Sequence, residues 1–265
     1  MEKLSATIIT FNEEENISGC IDSLWQIADE IIVLDSFSTD HTVSIARNKG
    51  AIVKQGQFNG YIEQKNRAIS LCRYNYVLSL DADERISKRL ADSILIAKRN
   101  FRSDAYFMNR YNRYCGKFIN HGLWYPNRKV RLFDKRIAKW GGSNPHDKII
   151  MPPDAHCGFL KGDILHFAYE SFKDHKKRNQ ELSSIAARSL LASGKHVPWW
   201  KIILSPAWSF FHGYVIRLGF LDGYAGLVIA IMTANQSFLK YNKLRILRQQ
   251  EGVKISTPSI LKIIE

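Results

Sequence analysis

The first eighty residues alternate between short apolar runs and stretches with one apolar face. Leu4 to Thr10 reads as a buried strand. Ile17, Cys20, Ile21, Leu24, Trp25 and Ala28 then recur at helical spacing, and they predict a helix with Asn12 as N-cap and Glu13 to Glu15 at its start. Glu30 to Leu34 predicts a second strand ending at Asp35, followed by a polar turn over Ser36 to Asp40. A second helix over Thr42 to Asn48 is closed by Gly50. Ala51 to Lys54, Ile62 to Cys72 and Tyr76 to Leu80 continue the series as strand, helix and strand. This alternation implies an α/β fold, a parallel sheet with helices on both faces. Ligands of such sheets bind beyond the carboxyl ends of the strands. Those ends carry Thr10, Asn12 and Glu13, then Asp35, then Asp81 and Asp83.

From about Asp104 the period shortens. Ala105 to Tyr114, Lys117 to Asn120 and Lys129 to Phe133 read as shorter strands of antiparallel character, which makes the sheet mixed. Trp140-Gly141-Gly142 leads into Pro145-His146-Asp147, a segment of turn-forming composition. Ile164 to Tyr169 reads as a last strand containing His166, and the chain beyond Ser171 as helical. The expected division is an α/β domain over 1–175 and a helical C-terminal extension over 176–265. Ile202 to Leu239 is the most apolar segment. Pro206, His212, Arg217 and Asp222 break it into pieces shorter than the roughly 20 residues of a spanning helix. A buried helical hairpin, a homodimer contact and insertion at a membrane surface all fit it.

Composition narrows the choice of partner. The chain has 265 residues and a net charge of +13, a field that attracts nucleic acid, anionic lipid or phosphorylated small molecules. Its net positive charge lies mainly in the C-terminal half beside apolar sequence, rather than in a stripe with stacking aromatics, so a nucleic-acid partner is not expected. Lys240, Lys243, Arg245 and Arg248 flank the apolar segment, as expected beside an anionic membrane. Four scattered cysteines form no metal-binding pair, point to a reducing compartment, and come with no evident secretory signal.

The chemistry concentrates at Tyr76 to Arg85, where an apolar run ends in Asp81, Asp83 and Glu84. Carboxylates this close repel, and a hard divalent cation such as Mg²⁺ or Mn²⁺ relieves the repulsion. Asp-x-Asp at a strand end is therefore a candidate site for a metal that holds a diphosphate. Neither a Gly-x-Gly-x-x-Gly nor a Gly-Lys-Ser/Thr loop is present, which argues against a dinucleotide site or a P-loop.

Four motifs in order resemble the inverting glycosyltransferases of family 2, which have the GT-A fold. They are Ile8 to Glu14, Val33 to Asp40, Gln64-Lys65-Asn66-Arg67-Ala68 and Leu80-Asp81-Ala82-Asp83-Glu84. With Arg131-Leu132-Phe133, Trp140 to Asp147 and Gly219 to Gly223, the set is most similar to the lipopolysaccharide-core β-1,4-glucosyltransferase group. Two positions depart from the pattern: Phe37 stands where the family often has glycine, and Asp147 where the closer group usually has Glu. The resemblance implies a nucleotide pocket lined by Thr10, Asn12, Glu13 and Asp35, with Asp35 toward the base and Lys65 near the diphosphate. It implies Asp83 as principal metal ligand and Asp81 shared between metal and ribose. Glu84 is left as a helix-start or supporting group.

Such a transfer needs charge stabilisation on the leaving diphosphate, for which Arg131 or Arg128 is suited beside the metal. It also needs a base for the acceptor hydroxyl, and Asp147 is the candidate, with His146 to orient it or meet a phosphate. His166 is either a further metal ligand or an ordinary strand-end histidine. The expected donor is UDP-linked, with glucose as the leading sugar, and the expected acceptor is an envelope glycolipid of the lipid A-core type. The enzyme would be cytoplasmic, on the inner face of a bacterial cytoplasmic membrane. A metal-dependent nucleotidyltransferase is the alternative enzyme class, but it would carry a Gly-rich basic loop where this chain has Phe-Asn-Glu-Glu-Glu.

Overall fold

The alternating apolar pattern at the N-terminus forms β1 (Leu4–Thr10), α1 (Ile17–Leu24), β2 (Glu30–Asp35), α2 (Thr42–Asn48), β3 (Ile52–Gln55), α3 (Tyr61–Ser70) and β4 (Tyr76–Asp81). The chain continues as β5 (Glu84–Ile86), α4 (Lys88–Ala97), β6 (Ala105–Tyr114), β7 (Lys117–Phe118) and β8 (Arg128–Asp134). It then forms β9 (Lys139–Ser143), β10 (His146–Ile150) and β11 (Cys157–Tyr169). Helices α5 (Phe172–Ala192), α6 (Lys201–Phe211) and α7 (Tyr224–Ile255) complete it. The computed structural model describes residues 1–143, 146–194 and 197–255. It divides into one unit of Met1–Asn120 with Trp124–Glu170, and a second of His121–Leu123 with Ser171–Glu265.

In the first unit one mixed sheet runs in the order β3-β2-β1-β4-β8-β6-β11-β5, with β7 paired to β6. β3, β2, β1 and β4 are parallel, β8 is antiparallel to both its neighbours, and β11 is parallel to β6. The period-2 pattern decides which helix each strand residue meets. Leu4, Ala6 and Ile8 of β1, Ile31 and Val33 of β2, and Leu78 and Leu80 of β4 share one core with α1 and α4. Ile32, Val77 and Phe133 turn to the other face, where they pack with Ile69 of α3 and Trp140 of β9.

Several local expectations change. Asn12 is not an N-cap: its φ is +53° and α1 begins only at Ile17, so the three glutamates lie in the loop before it. Trp25 lies past the end of that helix, 41% exposed, with its indole N–H donating to Lys49 O. Glu84 opens a short strand, not a helix; α4 starts after it, capped by the Ser87 hydroxyl. The glycine-rich segment before Asp147 is a hairpin of β9 and β10, paired Asp147 to Gly142; residues 144 and 145 and the His146 side chain lie outside the described residues. The last strand is twice the expected length because β11 runs beside nearly all of β6.

In the second unit α5 and α7 pack through small and apolar residues, including Ala186, Ala187, Ile229 and Met232. Asn179 donates to Met232 O at 2.7 Å. The apolar segment is broken into α6, a π turn at His212–Ile216 and a 3-10 turn at Gly219–Asp222. Among the described residues no helix is long and apolar enough to cross a membrane.

One close backbone approach holds α4 against β11. Gly162 has φ +107°, and a Cβ there would meet Leu90 N at 2.4 Å. Gly162→Ala should therefore destabilise the protein by about 2–3 kcal/mol, read as a lowered midpoint in thermal or urea unfolding.

Candidate active site

The parallel strands set the site's floor. Thr10 lies in register with Asp35, and Ile9 with Asp81, so three strand ends meet at one edge. The loops beyond β1 and β2 are laced together by hydrogen bonds. The Asn12 amide donates to Ser38 Oγ and Asn12 Oδ1 accepts from Thr39 N, both at 2.8 Å. The Glu13 amide donates to Thr42 Oγ1 at 2.8 Å, and Glu13 Oε2 accepts from Asn16 Nδ2. Asp35 is fully buried and its carboxylate is already engaged: it accepts from Ser38 N, Ser38 Oγ and Gln55 Nε2. It shapes the loop rather than reaching out of it. Phe37, between these anchors, has φ +62° and a ring 57% exposed. That left-handed backbone is why glycine suits the position, and a bulky residue there carries strain of about 1–2 kcal/mol. The Thr10 hydroxyl is buried and has no hydrogen-bond partner.

α3 presents three consecutive side chains to three neighbours. Gln64 donates to Ser36 Oγ at 2.9 Å. Asn66 exchanges two hydrogen bonds with the Trp140 backbone, fixing the hairpin that bears Asp147. Between them Lys65, only 3% exposed, reaches both candidate carboxylates: its Nζ is 2.7 Å from Asp147 Oδ2 and 3.1 Å from Asp81 Oδ1. The same ammonium lies 4.3 Å from the centre of the Trp140 ring, so it is held by the π face as well as by the anions.

Asp81 has a second cation. Arg131 Nη2 is 3.1 Å from Asp81 Oδ2 and 2.9 Å from Glu84 Oε1, and Arg110 is 3.5 Å from Glu84. Burial alone would raise the Asp81 pKa, but Lys65 and then Arg131 outweigh it and hold the carboxyl well below the usual range. Burial likewise opposes the charge on Arg131, yet Glu84 and Asp81 push its pKa up. Arg131 is 3% exposed, so it stands behind Asp81 and is not turned outward to clamp a phosphate; Arg128 is the exposed one. Glu84, wholly buried, accepts from the Asp81 amide at 3.1 Å.

Asp83 and His166 form a separate pair. His166 Nε2 is 3.2 Å from Asp83 Oδ2, and Nδ1 is 2.7 Å from Asn112 Oδ1. Asn112 Nδ2 donates to Trp124 O at 2.9 Å, which leaves Oδ1 to accept a proton from Nδ1. The Nε2 lone pair then faces a carboxylate, an arrangement favourable only with a second proton or a cation between them. Asp83 is held below the usual carboxylate range: burial raises its pKa, and the imidazole lowers it further. Ligands at about 2.0–2.1 Å on an octahedral cation stand about 3 Å apart, so the 3.2 Å spacing suits two neighbouring ligands of Mg²⁺ or Mn²⁺. Asp81 is turned away from this pair to Lys65 and Arg131. Among the described residues no three acidic, histidine or cysteine side chains converge into a ready cage. The residues fit a metal as part of a shell completed by other oxygens.

Asn112 is the member that motif reading missed, while Asn66 and Trp140 lie within the quoted motifs without an assigned role. Asn112 bears no sequence signal toward His166 because the two meet only through the pairing of β6 with β11.

Residues 5–151 match the sequence profile of Glycosyl transferase family 2. An uncharacterized glycosyltransferase of Rickettsia felis is 33% identical over 92% of this chain and 90% of its own length. A lipopolysaccharide core biosynthesis glycosyltransferase of Rhizobium meliloti is 28% identical over 90% of this chain and 93% of its own. Among solved structures, a Mycobacterium tuberculosis glucosyl-3-phosphoglycerate synthase crystallised with Mn²⁺ and UDP-glucose is similar at 25% identity. That match has a TM-score of 0.36 and covers 42% of this chain and 44% of the other; a likeness at that level decides nothing here.

The electrostatics make a test on Lys65. Lys65→Met leaves Asp81 and Asp147 short of a buried counter-charge and should cost about 3–5 kcal/mol near neutral pH. Because Asp81 titrates below the usual range in the native state, the intact cluster contributes stability above about pH 4 and loses it as pH falls. The gap between the variant and the parent in urea unfolding should therefore shrink on acidification.

Proposed function

The chain belongs to glycosyl transferase family 2, and on that premise we propose that it moves a hexose, glucose foremost, from a UDP-sugar to an envelope glycolipid. The acceptor class is the lipopolysaccharide inner core, the stereochemistry inverting, and the place of work the inner face of a bacterial cytoplasmic membrane. The observation that carries the reading is Lys65, whose single ammonium joins Asp81 of the donor side to Asp147 of the acceptor side. The likeness to the Rhizobium meliloti lipopolysaccharide core enzyme and the net charge of +13 support the acceptor class. Transfer is assigned to residues 1–175 and contact with the membrane to 176–265.

In this reading the acceptor hydroxyl attacks the anomeric carbon as the bond to the diphosphate breaks, and its proton passes to an oxygen of Asp147. Base assistance of this kind contributes roughly 10²–10⁴-fold. Lys65 holds that carboxylate in place through a 2.7 Å ion pair. An incoming diphosphate offers the Lys65 ammonium a further anionic partner beside Asp81 and Asp147. Thr10 closes the end of β1 beneath the nucleotide, while Asn12, Glu13 and Asp35 shape the pocket wall and the Phe37 ring covers its edge. Arg131 keeps Asp81 ionised and in place. Asp83 and His166 would hold Mg²⁺ or Mn²⁺, which supplies Lewis-acid stabilisation to the leaving diphosphate.

Two measurements test this. Asp147→Asn should lower transfer by roughly 10²-fold or more while donor affinity stays nearly unchanged; near-normal turnover would exclude Asp147 as base. A UDP-sugar should raise the melting temperature only with Mg²⁺ or Mn²⁺ present, and Asp83→Ala should abolish that metal requirement together with most activity. Equal stabilisation by donor in excess chelator would sink the metal assignment.

A further inference from the structure

α6 is inside out. Ile203, Leu204, Trp208 and Phe211 are all exposed and, with Ala207, lie on one helical face at spacings of one, four, five and eight residues. The opposite side carries Ser205, whose Oγ is 3.0 Å from Ser237 Oγ of α7. No residue of α6 is buried. A helix that ends against water does the reverse, with its apolar stripe inward. The exposure extends beyond the helix: Trp199 is 70% exposed before it, and Leu221 and Tyr224 are 56% and 83% exposed after it. Apolar surface over this stretch is on the order of 1,000 Å², against the few hundred Å² of the largest patch on an ordinary soluble monomer.

Charge selects what covers it. Between residues 182 and 250 the only carboxylate is Asp222, which is 3% exposed and accepts from the His121 amide. The same stretch holds eight lysines and arginines. Lys201 begins α6, and exposed Arg217 follows the π turn that prolongs it. A second copy of this chain would set basic surface against basic surface with no carboxylate to answer it. Tryptophan, tyrosine and aliphatic residues with a basic border are what a headgroup layer of anionic lipid accommodates.

We propose that α6 and the π and 3-10 turns after it form an interfacial anchor for an anionic bilayer. The helix lies in the membrane plane, its Ile203–Leu204–Trp208–Phe211 face enters the headgroup–acyl boundary, and Lys201 and Arg217 meet lipid phosphates. The proposal deepens the membrane-borne acceptor reading and rests on it for its purpose, but its observations are independent of transfer.

Vesicles free of any glycolipid acceptor test it with the full chain. Phosphatidylcholine vesicles containing phosphatidylglycerol should sediment at least about ten-fold more protein than phosphatidylcholine alone, with a blue shift of tryptophan emission and weakening by salt. Leu204→Glu combined with Trp208→Glu should lower that binding by about ten-fold or more, with the melting temperature unchanged because both side chains face outward. Lys201→Gln with Arg217→Gln should remove most of the preference for anionic lipid. Wild-type protein left in the supernatant, or a double glutamate variant that binds as well as wild type, overturns the proposal. So does concentration-dependent dimerisation without vesicle binding that the glutamate variant abolishes, since that gives the face to a second copy. Transfer to a detergent-dispersed acceptor separates the two readings: if it persists without vesicle binding only the anchor fails, and if it is absent despite vesicle binding only the proposed function fails.

Discussion

A single buried ammonium holds the site together. Lys65 lies between Asp81 and Asp147, on the face of Trp140, with almost no access to water. Two carboxylates brought to one place by distant parts of the chain would otherwise repel across a poorly screened gap. Arg131 does the same for Asp81 and Glu84 from the other side. The cluster is close to balanced before any ligand arrives, which is what permits so many charges to be buried at once.

Around that cluster the fold supplies rigidity from two directions. The loops after β1 and β2 are tied to each other through Asn12, Ser38, Asp35 and Thr42, so neither can open alone. From the other side, Asn66 clamps the backbone of the β9–β10 hairpin and so fixes where Asp147 stands. Phe37 is the exception to this economy. It holds a left-handed backbone with an exposed aromatic ring, a combination that costs stability. The second unit shows the same logic at larger scale: an apolar helix face turned outward is unfavourable in water and becomes favourable only against a low-dielectric partner.

The depressed carboxylates set the direction of pH dependence. Against the opposing effect of burial, Lys65 and Arg131 hold Asp81 below the usual carboxylate range and the His166 imidazole holds Asp83 there, so protonating them in acid removes attraction that the native state relies on. His166 adds a different constraint. Its Nδ1 is committed to Asn112, whose amide is in turn committed to Trp124 O, and this chain of hydrogen bonds orients Nε2 toward Asp83. Held this way, the ring keeps its aim at Asp83 without further reorganisation.

The sequence by itself determined the alternation of strands and helices and the acidic strand end at Asp81 to Glu84. Both are local: period-2 and period-3.6 patterns and a run of three carboxylates are visible within ten residues. The order of the family 2 motifs pointed to Lys65 and Asp147 as candidates, but not to their bond. That bond joins residues 82 apart, and Asn112 meets His166 only because β6 and β11 pair in parallel across 54 residues. Tertiary structure also reversed local expectations where a partner outweighed propensity. Asn12 serves a neighbouring loop instead of capping a helix, Glu84 turns inward to Arg131 instead of starting one, and the Arg131 guanidinium is engaged by the carboxylates of Asp81 and Glu84. Composition announced an apolar segment beside basic residues; only packing on α7 decided which face of α6 is left for a partner. Periodicity records what each residue prefers, whereas which charges become neighbours follows from strand order and register, and those are properties of the folded chain alone.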